Sequence, residues 1–181
     1  MSETPVDPAT RAPATPLARA QAGVTRAMGI AVVVTVALAL IGYAHGDAMM
    51  LEARGWTLGV ALLTLGLWVA AAIGDVARRR FASASAIEGG DGVDPRVDVA
   101  NAILRNTAEQ ALLAAIAYGA LTLLDDHARV AVALFAACFS AGRLLFWSGY
   151  RDGAAARALG FGLTFYPSVA ALLMAALALL R

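Results

Sequence analysis

Lysine is absent from this chain: all fourteen basic residues among its 181 are arginines. High-GC coding composition accounts for that bias in general. A role for any one arginine in holding an anion has to be argued position by position, because only its guanidinium offers a fixed bidentate fork. Thirteen acids leave a formal charge of +1, which points to neither a nucleic acid nor an acidic partner. Cysteine is nearly missing as well. The single Cys138 excludes an intrachain disulfide, and its setting LFAACFSAG reads as a small buried hydrophobe rather than a nucleophile.

What is abundant is apolar surface. Hydrophobic residues make up 60% of the chain, against roughly 45–50% in soluble domains. A single domain of this length has no soluble core large enough to hide that much. Its natural solvent is lipid, and the predicted class is an all-α integral membrane bundle.

Residues 1–26 hold four prolines, Pro5, Pro8, Pro13 and Pro16, with little to bury, and are expected to form a disordered cytoplasmic tail. Five apolar segments follow: Ala27–Ala44, Trp56–Ala77, Val99–Leu124, Val130–Tyr150 and Ala154–Leu180. A helix crosses a bilayer of ~30 Å with ~20 residues, so the first is the shortest candidate. It is read as a span rather than a signal peptide, since the region before it is long and YAHGDA lacks a clean small-x-small cleavage site.

With five spans, one side receives Arg11, Arg19, Arg26, Arg78, Arg79, Arg80, Arg96, Arg151 and Arg157, and the other only Arg54, Arg129 and Arg181. That asymmetry predicts a cytoplasmic N-terminus, 78–98 loop and 151–157 turn. In the loop FASASAIEGGDGVDPRVD, the glycines and Asp94-Pro95 are expected to mark turns, not an element. Gly89, Gly90 and Gly92 form no phosphate-binding fingerprint, as no strand precedes them. In LDDHARV, three successive residues cannot readily converge on one metal, so a solvated helix boundary is expected. Pro167 in LTFYPSVA removes a backbone donor in mid-span and should kink the last helix.

Polar residues inside the spans are the informative ones. Asn106, Glu109 and Gln110 lie within NAILRNTAEQALLAAIAY, where an ionisable side chain costs on the order of 2.5–3.5 kcal/mol at the membrane centre. Arg105, Asn106 and Glu109 share a helix face. Arg143, Phe146 and Tyr150 recur at helical spacing in the fourth span, and an Arg143–Glu109 ion pair is one expectation. Arg157 stands just inside the N-terminus of the fifth span, where free amides and the helix dipole favour an anion. Together with Arg78 and Arg79 these predict an arginine-rich cleft with a carboxylate at one membrane face, suited to a small anionic or zwitterionic ligand. Taken singly, each residue also has a structural reading, as an ion pair, an interfacial anchor or a topology signal.

The stretches VANAIL–RNTAEQ and RLLFWSGYRDGAAARALGFGLTFYP resemble the MAPEG family, the membrane-associated proteins of eicosanoid and glutathione metabolism, over roughly Trp56 to Leu180. The resemblance implies four core transmembrane helices, here residues 56–181 of a bacterial-type member, with 27–44 as an extra N-terminal transmembrane helix. It further implies a homotrimer in the inner membrane that binds glutathione between subunits near the cytoplasmic surface and acts on lipophilic substrates. Carried over by motif, Arg78 and Arg79 would contact glutathione or its co-substrate. Asn106 and Glu109 would hold the tripeptide, Tyr150 would be an aromatic contact, and Arg157 would stabilise the thiolate. Arg143 would be a supporting cation of the same cleft. The chain departs from the pattern at Ala102, Gln110 and Phe146, where an arginine and two tyrosines are expected. A non-catalytic lipid-binding or scaffold protein of the same fold is the competing reading. A channel or transporter has no support, because the polar residues gather at one face and line no path.

Overall fold

The computed structural model describes residues 15–89 and 94–180, all helices, turns and connecting loops. Its five helices are α1 (Pro16–Ala44), α2 (Leu51–Phe81), α3 (Pro95–Leu124), α4 (Arg129–Ser148) and α5 (Ala154–Ala178). Each is long and apolar enough to cross a membrane. The chain is an all-α integral membrane protein.

The helices outrun the apolar segments, and their caps say why. Thr15 accepts a hydrogen bond from the Ala18 amide at 3.2 Å, with Pro16 in the first turn. There proline costs nothing, because its missing donor has no intrahelical partner. Residues 16–26, expected to be disordered, are therefore the first turns of α1; the expected tail at 1–14 lies outside the described residues, as do Gly90, Gly92, Arg11 and Arg181. Asp94-Pro95 is likewise a helix start rather than a break. The Asp94 carboxylate accepts from the Arg96 amide at 2.8 Å and opens α3. That amide, first among several causes, holds the Asp94 carboxyl below the usual carboxylate value.

At the opposite end of α3, Arg54 of α2 donates to the carbonyls of Thr122 and Asp125 at 2.9 and 2.8 Å. A cation there satisfies carbonyls that the helix leaves open. The Asp125–His127 turn is built the same way: the His127 amide donates to the Asp125 carboxylate at 2.9 Å, and its ring is 2.6 Å from the Gly46 carbonyl.

In lipid, association rests on close packing rather than on water exclusion, which favours small residues at crossings. α4 meets α5 where a Cβ on Gly142 would lie 2.8 Å from the Gly160 carbonyl oxygen. α1 lies against α5 and α4, whereas α2 lies against α3 and α4. Tyr118, Phe135, Phe139 and Leu121 fill the centre. Pro167 is buried inside α5, which runs through it unbroken. The proline frees the Leu163 carbonyl, and the Cys138 thiol of α4 donates to it at 3.4 Å. That is how a neighbouring helix accommodates a proline at membrane depth. Cys138 is thus a donor as well as a small apolar filler.

Candidate functional site

Four helices surround a cavity of about 320 Å³ at the end of the bundle where α1, α3 and α5 begin and α4 ends. α3 contributes Ala102 and Asn106, α4 and its exit Phe146 and Tyr150, α5 Arg157 and Phe161, and α1 Val24 and Met28. The volume is at the lower edge of the ~300–1,000 Å³ range of small-molecule pockets. Asn106, Tyr150 and Arg157, separated by more than forty positions of sequence at the extremes, line one space.

Behind the cavity is Arg143, with 0% of its surface exposed. Its guanidinium donates to Asn106 Oδ1 at 2.9 Å and to Thr164 Oγ1 at 2.8 Å, with a longer contact of 3.5 Å to Thr107 Oγ1. These acceptors are all neutral. Among the described residues, no carboxylate reaches Arg143 within salt-bridge distance. A charge buried without a counterion is costly, and some of that cost is met by aromatic faces. The guanidinium carbon lies 4.6 Å from the Phe146 ring centroid and 5.6 Å from that of Phe139. The Phe146 ring meets Tyr150 edge-on at 5.4 Å, and the guanidinium of Arg157 lies 4.6 Å from the Tyr150 ring. Cation, ring, ring and cation therefore form one continuous column along the cavity. The column raises positive potential at the polar side of the pocket and fixes Asn106 with its side-chain oxygen turned to Arg143.

The expected Arg143–Glu109 ion pair is not formed. Asn106 is half-buried and turned inward, while Glu109 is exposed on the outer face of α3 beside Arg105. One turn of helix separates the two, and the edge of the bundle falls between them. Arg78 and Arg79 also stay away from the cavity. Both bond Asp75 on their own helix at 2.7 Å, and α2 packs on the far side, against α3 and α4. Within one chain the structure gathers Asn106, Arg143, Tyr150 and Arg157, and does not bring Glu109, Arg78 or Arg79 to them.

The local fold explains Arg157. Gly149 ends α4, where any Cβ would press on the Ala156 carbonyl at 2.7 Å, and Gly153 opens α5 at φ +99. That φ is a conformation reserved for glycine. The two let the chain reverse tightly enough to place the first turn of α5 over Tyr150.

The MAPEG family model matches residues 55–177, more than half of the chain. The chain belongs to the MAPEG family. No curated protein and no solved structure matches it. The MAPEG match covers α2 to α5 nearly in full and leaves α1 outside, although α1 helps line the cavity. Two polar residues of this MAPEG chain escaped sequence reading, Thr107 and Thr164. The available signal was a hydroxyl in each of two apolar spans, at the depth of Arg143. Threonine bonds its own helix so readily that the signal is weak; Thr107 and Thr164 do so here, to the carbonyls of Ile103 and Phe161.

Proposed function

We propose that this protein is a glutathione-dependent membrane transferase or peroxidase for lipophilic electrophiles, with Arg157 stabilising the glutathione thiolate. The observation that carries the reading is the column from buried Arg143 to Arg157, two guanidinium groups beside a mostly apolar cavity, with no carboxylate among the described residues bonded to Arg143. An anionic ligand held at Arg157 would bring negative charge to that column. Asn106 and Tyr150 offer the tripeptide hydrogen bonds, and the apolar wall receives the electrophile from the bilayer.

The chemistry asks for a thiolate. A thiol with pKa near ~8.5 is mostly protonated in the cytosol and is then a poor nucleophile. A guanidinium at ~4 Å, at an effective dielectric near 20, supplies ~4 kcal/mol of attraction before desolvation, enough to draw the thiol pKa toward neutrality. The thiol proton leaves to water, the sulfur attacks the electrophilic carbon, and the leaving group departs with its bonding electrons. In this reading the cavity opens at the cytoplasmic face. Glu109, Arg78 and Arg79 act across an interface, supplied by a neighbouring copy in a homotrimer. Such sharing accords with a cavity small for a whole tripeptide plus substrate.

The test is made on purified protein in detergent. Glutathione is expected to raise the melting temperature by mass action and to be conjugated to an aryl halide with thiolate absorbance. Arg157→Ala should lose tenfold or more in kcat/KM together with that absorbance; equal activity in both ends the role given to Arg157. The apolar residues at Ala102 and Phe146 favour a second reading, a lipid-binding protein without catalysis. It predicts stabilisation by an alkyl phosphate and none by glutathione.

A further inference from the structure

Among the described residues α1 is the one helix outside the MAPEG match, yet it is fastened to the bundle along its length. A Cβ on Gly23 would lie 2.8 Å from the Ala155 side chain, one on Gly162 would lie 2.6 Å from that of Ala31, and one on Gly42 would lie 2.7 Å from Ala131. The cavity thus has a fixed fourth wall, of which Val24 and Met28 are the lining residues. They are one helical turn apart and project to the same side. Both are apolar and half-buried, whereas the hydrogen-bonding groups of the cavity, Asn106, Tyr150 and Arg157, all come from α3 and from α4 through α5.

From this division of labour we infer that Val24 and Met28 select the apolar substituent of the ligand whose polar head is held at Arg157 and Tyr150. The helix added to the MAPEG domain is then its specificity wall. Met28 suits that task, because an unbranched thioether chain adapts to tails of different shape. Its sulfur lies 3.3 Å from where a Cβ on Gly162 would stand, so the missing side chain on α5 leaves it room. The proposal rests on the reading above only for the identity of the polar head. The shared requirement is an anionic head joined to an apolar tail, whether a glutathione conjugate or a lipid-like phosphate.

The experiment uses the full chain in detergent and measures dissociation constants for S-methyl- and S-hexylglutathione, and in parallel for methyl and hexyl phosphate. The variants are Val24→Trp and Met28→Trp, with Val33→Trp, at a position of α1 that is 69% exposed, as a control. The wild type should bind the hexyl compound of a series tenfold or more tighter than the methyl one. Either tryptophan at the wall should remove most of that preference and leave methyl binding within about twofold. Val33→Trp should keep it. Two tryptophan variants guard against misfolding of one, and a melting temperature near that of wild type identifies the usable one. A hexyl preference that survives both overturns the proposal, as does equal loss of methyl and hexyl binding. If neither glutathione compound binds any form, the glutathione reading falls and the phosphate series decides alone. There, loss of the hexyl preference upholds the α1 wall, and absence of binding or of chain-length dependence overturns it.

Discussion

A single arginine organises this site, and its partners make it testable. Arg143 is fully buried and relies on neutral acceptors, so each hydrogen bond counts for more than one at the surface. Thr164→Val keeps the shape of the side chain and removes the 2.8 Å acceptor of the guanidinium. A hydrogen bond to a charged group is worth ~1.5–3 kcal/mol. Replacement should lower stability by about that amount, read from unfolding in denaturant and detergent. An unchanged midpoint would show that the phenylalanine faces and Asn106 hold the cation without help. Serine at the same position restores the acceptor and should recover most of the loss, which separates the hydrogen bond from packing.

At the scale of elements, the start of α3 couples charge to helix stability. Asp94 is held below its ordinary value of 3.8, first by the Arg96 amide. A depressed carboxyl stabilises the fold above its unfolded pKa and ceases to do so as pH falls through the lower folded value. The melting temperature should therefore drop below about pH 4, and Asp94→Asn, which keeps a capping oxygen but does not titrate, should drop less over the same range. Parallel curves for the two proteins would remove the cap from the account. Asp94 also shows what local sequence conveys. All five spans are visible as apolar runs, because length and hydropathy are local properties. Their ends are visible only as residues with two meanings. Asp-Pro closes one element or opens another, and the capping bond decides. Facing is harder still. Asn106 and Glu109 share a face by spacing alone, yet one points inward and the other out, because the rotation of α3 is set by its contacts with α2 and α5 and by the glycine crossing of α4 on α5. Those are tertiary facts, absent from any window of the chain. The column Arg143, Phe146, Tyr150, Arg157 was legible for the opposite reason: its first three members lie on one helix face and its exit.

For the molecule as a whole, the outer face of α3 poses the sharpest physical problem. Arg105 and Glu109 are exposed there, in line with Leu112 and Ile116. At ~1.5 Å per residue, Glu109 lies about 20 Å along the helix from Pro95, one turn beyond Asn106 of the cavity. A charge facing lipid costs on the order of 2.5–3.5 kcal/mol at the membrane centre and less toward an interface. In the proposed homotrimer a neighbouring copy would cover the stripe, and Glu109 would stand at a site shared between chains. Two outcomes can be told apart with Glu109→Leu and Glu109→Gln. If the carboxylate faces lipid, the leucine variant becomes more stable, by at most about that transfer cost, and ligand binding does not change. If it faces a neighbour's site, wild type shows a three-chain mass by native mass spectrometry. Both variants then lose the glutathione-dependent rise in melting temperature, and glutamine, which keeps the size of the side chain, retains the trimer. The second outcome is expected, because one chain leaves Arg105 and Glu109 exposed on a helix face that runs on into exposed Leu112 and Ile116.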